Sequence, residues 1–161
     1  MNKGTIMVFY GEGEGKTSAA VGRAVKAASQ GKNVVIIQFL KGRKCDESPV
    51  FQNMEPQIRC FTFEKSDMFY EELSEEEKKD EAINIRNGLN FARKVLTIRE
   101  ADVLILDEVL GLFDNQLITA EDIQTLVEMM EEDTELILTG RSLPKEMQKI
   151  ADKVSHIEKV K

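Results

Sequence analysis

A short segment near the start of the chain combines a glycine-rich turn with a cation and a hydroxyl. It reads Gly11-Glu12-Gly13-Glu14-Gly15-Lys16-Thr17, with Ser18 following. Glycines permit a tight turn and let backbone N–H groups approach phosphate oxygens closely. Lysine supplies a positive charge to those oxygens, and a threonine hydroxyl is a suitable Mg²⁺ ligand. The segment therefore predicts a loop, including Gly11, Glu12, Gly13, Glu14 and Gly15, that binds nucleotide phosphates with Mg²⁺.

A strand and a helix are predicted on the two sides of this loop. Residues 5–10 are β-branched and aromatic, as in a buried strand, and the alanine-rich residues 16–30 have helical spacing before Gly31. The strict pattern G-x-x-x-x-G-K-[ST] requires glycine at position 10, where this chain has Tyr10. Because strand, glycine-rich turn, Gly-Lys-Thr and helix occur in the required order, we favour phosphate binding over a turn without a ligand.

Two carboxylates follow a second apolar segment, Val103-Leu104-Ile105-Leu106, which is typical of a buried strand. They are Asp107 and Glu108, and ligands of open α/β sheets bind at the carboxyl ends of the strands. Asp107 is predicted to hold Mg²⁺ directly or through water, with Glu108 beside it as a ligand or orienting water. The alternative is a strand that simply ends in a polar turn.

A third segment, Thr139-Gly140-Arg141, ends a later apolar strand. Its carboxyl end belongs at the same edge of the sheet, where Arg141 can bind a phosphate through two parallel hydrogen bonds. A surface arginine after a turn is an equally good interpretation of this residue.

The remaining elements alternate between strands and helices. Strands are predicted at 33–39, 58–63, 136–139 and 154–157, and helices from Ser74 toward Arg99, from Thr119 to about Met130, and after Pro144. The longest helix is expected to bury Ile83, Leu89, Phe91, Ala92 and Leu96. Continuous apolar strands separated by helices indicate an α/β fold, with a mostly parallel sheet covered by helices on both faces, in one domain over 1–161.

Composition excludes several classes of function. The 161 residues carry a net charge of −7, which disfavours the basic surface needed to coat nucleic acid. Cys45, Cys60 and His156 are too few and too scattered for a disulfide framework or a soft-metal cluster. No apolar run approaches the roughly 20 residues that span a bilayer, and no signal peptide precedes the first strand. We therefore expect a cytoplasmic protein without membrane or nucleic-acid partners.

Several blocks, in order, resemble the ATP:corrinoid adenosyltransferases that contain a P-loop. The family's loop is similar to G-N-G-K-G-K-T, which accounts for the register at Tyr10. The resemblance runs from about Lys3 to Ile157. The other similar blocks are Gln38-Phe39-Leu40-Lys41-Gly42, Phe61-Thr62-Phe63-Glu64, Leu104-Ile105-Leu106-Asp107-Glu108, Thr139-Gly140-Arg141 and Ala151-Asp152-Lys153-Val154.

This resemblance implies a three-layer, RecA-like P-loop fold and a particular reaction. The Co(I) of a reduced corrinoid attacks C5′ of ATP, a cobalt–carbon bond forms and triphosphate leaves. Because the substrate metal is the nucleophile, no catalytic side chain is required. Phe61 and Phe63 match an F-x-W pair that contacts the lower face of the corrinoid in the family, although two same-face strand residues are also typical of core packing. The resemblance also implies Mg²⁺, a possible reductase partner and a homodimer.

Two other functions stay open at this stage. One is an ATP-binding protein of the same fold with lost or changed transferase activity, which Glu12, Glu14 and an end at Lys161 favour. The other is a small-molecule kinase or NTP hydrolase, which would release ADP and phosphate; the chain shows no obvious arginine-rich lid region to support it.

Overall fold

The computed structural model describes residues 4–12, 15–39, 53–63 and 70–161. Within these residues a parallel six-stranded sheet forms, with the spatial order β3-β2-β4-β5-β1-β6. Its strands are β1 (Thr5–Tyr10), β2 (Val34–Gln38), β3 (Ile58–Thr62), β4 (Val103–Asp107), β5 (Glu135–Gly140) and β6 (Lys153–His156). The strand β5 therefore separates β1, which leads into the glycine-rich loop, from β4, which ends in the predicted carboxylates.

The helices follow the strands along the chain. They are α1 (Lys16–Ser29), α2 (Glu75–Thr97), α3 (Ala120–Glu128) and α4 (Lys145–Ile150), with 3₁₀ segments at Tyr70–Glu72 and Val109–Gln116. None of the helices in the described ranges has the length and apolar content needed to span a bilayer.

Alternate residues of the strands other than β6 enter two separate apolar cores. In β1, Ile6 and Val8 face one core while Met7 and Phe9 face the other. Ala20, Ala24 and Ala27 of α1 cover the second core, and residues of α2, α3 and α4 cover the first. Because both faces of the sheet are covered, the central strands β2, β4, β5 and β1 are buried almost throughout, as predicted, whereas the edge strand β6 is exposed.

The prediction for the buried stripe of α2 was wrong at one position. Ile83 is 59% exposed, whereas Ile85, Leu89, Ala92 and Leu96 are buried. The reason is geometric: residues three or four apart share a helix face, and Ile83 lies two residues from Ile85 and so points away from the sheet.

The helices α2 and α3 are joined by a two-pronged ion pair. The Arg86 guanidinium donates to both carboxylate oxygens of Asp122, at 2.6 and 3.0 Å. The same carboxylate accepts from the backbone N–H of Thr119, whose hydroxyl accepts from the N–H of Asp122, so Thr119 caps the helix that was predicted to begin there. Burial disfavours the charged carboxylate, but the hydrogen bonds from Arg86 and Thr119 outweigh it and lower the pKa of Asp122.

Asp122→Asn is expected to lower the free energy of unfolding at pH 7 by about 1–2 kcal/mol, since a helix cap and an ion pair are weakened together. A lowered folded-state pKa stabilises the fold above the unfolded pKa of about 3.9, and that stabilisation is lost as pH falls through the folded value. The difference between wild type and variant should therefore shrink toward pH 2. Urea unfolding at both pH values measures it, with exposed Asp80→Asn as control; an equal difference at both would contradict the prediction.

Candidate functional site

The glycine-rich loop leaves β1 through a residue with no room for a side chain. Gly11 has φ 148°, and its N–H donates to the carbonyl of Gly140 at 3.1 Å. A Cβ on Gly11 would lie 2.0 Å from the carbonyl oxygen of Ile157. Gly15 has φ 111° directly before α1, a conformation that favours glycine. The side chain of Glu12 is exposed, while Gly13 and Glu14 lie outside the described residues.

The first turn of α1 carries the predicted cation and hydroxyl. Lys16 is only 8% exposed, and its Nζ lies 3.7 Å from Oε1 of Glu108. The Thr17 hydroxyl donates to Oδ1 of Asp107 at 3.0 Å. Ser18, the next residue, is exposed. The structure thus brings the glycine-rich loop and the carboxylates of β4 together.

The two carboxylates have different surroundings. Asp107 is 1% exposed at the end of β4. Glu108 follows with φ 63°, the left-handed region that costs a non-glycine residue about 1–2 kcal/mol. Its N–H donates to the hydroxyl of Thr139 at 2.8 Å, so a hydrogen bond holds the turn that directs Glu108 toward Lys16.

Thr139 is a site residue that the sequence did not single out. It is fully buried, and its hydroxyl donates to Oδ1 of Asp107 at 2.7 Å. Leu106 of β4 pairs with Leu138 of β5, so the following residues are neighbours. Thr139 belongs to the Thr139-Gly140-Arg141 block that the sequence shows, but its contact with Asp107 can be inferred only when β5 is known to lie beside β4.

The donor set suits a hard divalent cation. Thr17 offers a hydroxyl oxygen, and Asp107 and Glu108 offer carboxylate oxygens, which are ligand types that Mg²⁺ prefers. Mg²⁺ is usually held by one or two carboxylates together with substrate phosphates and water. In the described ranges no group of three or more His, Cys, Asp or Glu side chains is arranged to hold a metal. The residues present therefore fit Mg²⁺ bound together with a nucleotide.

A hollow of about 420 Å³ lies beside the glycine-rich loop. The Tyr10 and His156 rings stack next to it with centroids 4.7 Å apart, so the aromatic residue in place of the usual glycine packs against β6. Arg141 is exposed in the hollow, and its contact with a phosphate stays a prediction. The lining residues are Glu12, Arg141, His156, Ile157, Glu158 and Lys159.

Phe61 lies in β3, the strand at the edge of the sheet opposite β6, and Phe63 follows the end of that strand. Both are half-buried, and their ring centroids lie 4.7 and 5.7 Å from that of Phe91 on α2. Gly88 leaves room for Phe63, since a Cβ there would lie 3.1 Å from Cγ of Phe63 and 2.6 Å from the Phe39 ring. The pair shares one face and packs partly into the core; a corrinoid contact stays a prediction.

Two further residues of the resembling blocks have structural explanations. The Asp152 carboxylate accepts from the N–H of Ile6 at 2.8 Å, and its own N–H donates to the carbonyl of Ile6 at 2.9 Å. These bonds attach the start of β6 to β1. A Cβ on Gly140 would lie 2.4 Å from Cβ of Leu110, so glycine lets the turn after Glu108 pack on β5.

Comparison with known proteins gives one consistent result. The sequence model of the family described as ATP:corrinoid adenosyltransferase BtuR/CobO/CobP matches residues 2–161. A corrinoid adenosyltransferase of Escherichia coli strain K12 is 29% identical over 160 residues, covering 99% of this chain and 79% of that protein. The corrinoid adenosyltransferase CobA of Salmonella typhimurium strain LT2 is 27% identical, with the same shares covered.

Among solved structures, a KaiC-like protein, PH0186, from Pyrococcus horikoshii OT3 superposes with a TM-score of 0.59. The match covers 99% of this chain and 75% of that chain at 18% identity, which shows similarity of fold alone. Together with the parallel sheet, it confirms the predicted three-layer α/β fold of the RecA-like P-loop type.

Proposed function

The chain belongs to the ATP:corrinoid adenosyltransferase family, and on that premise we propose that it transfers the 5′-deoxyadenosyl group of ATP to a reduced corrinoid. The Co(I) of the substrate supplies the electron pair that forms the cobalt–carbon bond. The bond between C5′ and the α-phosphate oxygen breaks, and triphosphate leaves with the electron pair of that broken bond. Neither a proton nor a protein nucleophile is needed in this step.

One observation carries the proposal: Lys16 and Thr17 at the start of α1 directly face Asp107 and Glu108 at the end of β4. The N-terminus of α1 directs backbone N–H groups and a favourable dipole toward phosphate oxygens. Thr17 and Asp107 would hold Mg²⁺, which when bound neutralises charge on the triphosphate. Exposed Glu12 is free to point away from the phosphates.

The lysine is held in place before nucleotide binds. Its Nζ lies 3.7 Å from Oε1 of Glu108, and both side chains are mostly buried. A triphosphate carries more negative charge than one carboxylate, so Lys16 exchanges a long ion pair for closer contacts with phosphate. Positioning ATP in this way brings C5′ to one place relative to the corrinoid, which is how a protein without a catalytic nucleophile accelerates the transfer.

We propose the aromatic pair as the corrinoid contact. Phe61 and Phe63 have half-buried rings on one face of the sheet, and both rings pack against Phe91 of α2. The flat face of a corrin ring can pack against such aromatic rings, and contact there would shield the reduced metal from water.

The proposal also covers the domain organisation, cellular location, oligomeric state and electron-supplying partner of the protein. Family membership supports a single catalytic domain, acting in the cytoplasm as a homodimer, with a reductase partner that supplies electrons to the corrinoid. Sedimentation of the purified protein tests the oligomeric state.

The proposed function predicts one adenosylated corrinoid for each triphosphate released. Purified protein is mixed, without oxygen, with MgATP and chemically reduced cobalamin or cobinamide. The corrinoid spectrum reports the new cobalt–carbon bond, and triphosphate is measured separately. A reaction without protein is the control.

The assay also separates the two other functions. Tight ATP binding with no adenosylated product from either corrinoid would contradict the proposal and indicate an ATP-binding protein without transferase activity. ADP and phosphate in place of triphosphate would indicate a kinase or hydrolase.

A further inference from the structure

We propose that Thr139 is the positioning residue of the Mg²⁺ site, an inference that rests on the proposed MgATP binding. A single buried hydroxyl contacts both carboxylate residues. It donates to Oδ1 of Asp107 at 2.7 Å and accepts from the N–H of Glu108 at 2.8 Å. Thr139 itself is not a metal ligand; it fixes the orientation of Asp107 and the backbone turn at Glu108.

The burial of Thr139 makes its hydroxyl hard to replace. The residue is 0% exposed, so bulk water does not reach the position from which it donates and accepts. A hydroxyl has one proton to donate and lone pairs to accept with, and Thr139 uses both functions in opposite directions. Valine has nearly the same shape but can make neither bond.

Thr139 keeps its role when nucleotide arrives. Oδ1 of Asp107 accepts two hydrogen bonds, from Thr17 at 3.0 Å and from Thr139 at 2.7 Å. To act as a Mg²⁺ ligand, the Thr17 hydroxyl must turn a lone pair of its oxygen toward the metal, so the geometry of its own bond to Asp107 changes on metal binding. The bond from Thr139 comes from β5, away from the phosphate loop, and persists. It therefore holds the carboxylate while the metal binds.

The second hydrogen bond of Thr139 links the metal site to Lys16, the side chain proposed to bind phosphate. Glu108 adopts a left-handed backbone conformation, with φ 63°, and places its carboxylate near Lys16. The bond from its N–H to Thr139 stabilises that conformation. Loss of the hydroxyl therefore disturbs Asp107 and Glu108 together, while the glycine-rich loop and α1 keep their own contacts with phosphate.

The test compares binding of a fluorescent ATP analogue with Mg²⁺ and with EDTA in wild type, Thr139→Val and Thr139→Ser. The ratio of the two affinities measures how strongly the metal and the nucleotide assist each other. Loss of a residue that orients a metal ligand typically weakens metal binding by about 10- to 100-fold. We expect Thr139→Val to reduce the ratio by that factor and Thr139→Ser, which keeps the hydroxyl, to stay within about threefold of wild type.

A matched control is Thr134→Val, the same change at a buried threonine just before β5, at the opposite edge of the sheet. It should leave the ratio unchanged, and thermal unfolding checks that each variant is folded. If Thr139→Val fails to fold, the smaller Thr139→Ala replaces it. A folded Thr139→Ser protein whose ratio of affinities with Mg²⁺ and with EDTA falls as far as expected for Thr139→Val would by itself overturn the proposal.

Two further results would also overturn the inference, and they have different meanings. A folded Thr139→Val with the wild-type ratio would refute the role of Thr139 and leave the proposed function intact. A wild-type protein whose ATP binding does not depend on Mg²⁺ would refute the Mg²⁺ site on which both proposals rest.

Discussion

Lys16→Ala is expected to weaken MgATP binding by at least about 100-fold and to abolish adenosylation at ordinary ATP concentrations. Hydrogen bonds to charged groups contribute about 1.5–3 kcal/mol each, and about 1.4 kcal/mol corresponds to tenfold in affinity. The substitution also leaves Glu108 without the cation 3.7 Å away, facing the incoming phosphates. Two charges about 4 Å apart repel by about 1 kcal/mol in water and about 4 kcal/mol at an effective dielectric constant of about 20.

The chain offers a matched control for that change. Lys26→Ala removes the same charge from the exposed last turn of the same helix, and should bind MgATP as wild type does. Titration calorimetry measures both affinities. Combining Lys16→Ala with Glu108→Gln should recover part of the loss, because the uncompensated carboxylate is then neutral. Equal affinities for Lys16→Ala and Lys26→Ala would contradict a phosphate role for Lys16.

Gly11→Ala is expected to lower the free energy of unfolding by about 3 kcal/mol or more, the range of severe strain or loss of a buried contact. The new Cβ would lie 2.0 Å from the carbonyl of Ile157, and φ 148° is unfavourable for alanine. The easiest relief is to move residue 157 away, which breaks the bond from its N–H to the carbonyl of Tyr10. Because about 1 kcal/mol shifts Tm by about 2–4 °C for a chain of this size, Tm should fall by about 6–12 °C.

The opposite result is expected at Gly22, inside α1. Apart from the helix's own backbone, no atom of the described residues lies within 4 Å of the position that a Cβ on Gly22 would take. Gly22→Ala should raise the free energy of unfolding by about 0.5–1 kcal/mol, because alanine is the better helix former. Calorimetric scans of both variants check the contrast. A Gly11→Ala protein as stable as wild type would show that β1 and β6 separate there without cost.

Local sequence was sufficient for the parts of the site that lie within single segments. The cation and hydroxyl of Lys16 and Thr17 follow a glycine-rich turn, and Asp107 ends an apolar run. The carboxyl ends of parallel strands share one edge, so their meeting could be predicted without knowing the strand order. The carboxylates and the loop indeed meet, through the bond from Thr17 to Asp107.

Thr139 could not be identified in the same way. Its role depends on β5 lying next to β4, and neighbouring strands are chosen by packing of both sheet faces rather than by any local pattern. The error at Ile83 has a similar origin. Helical spacing allows several apolar faces in a long helix, and only contact with the sheet decides which one is buried.

The position of β1 in the sheet also determines when the site can form during folding. This strand pairs with β5 and β6, so Thr5 has its partner at Glu135, 130 residues later in the chain. The ends of a long chain segment must meet before such a pair forms, which makes β1 one of the slower strands to dock. During synthesis β1 therefore waits until β5 has been made, and nucleotide can stabilise only a chain whose synthesis has passed β5.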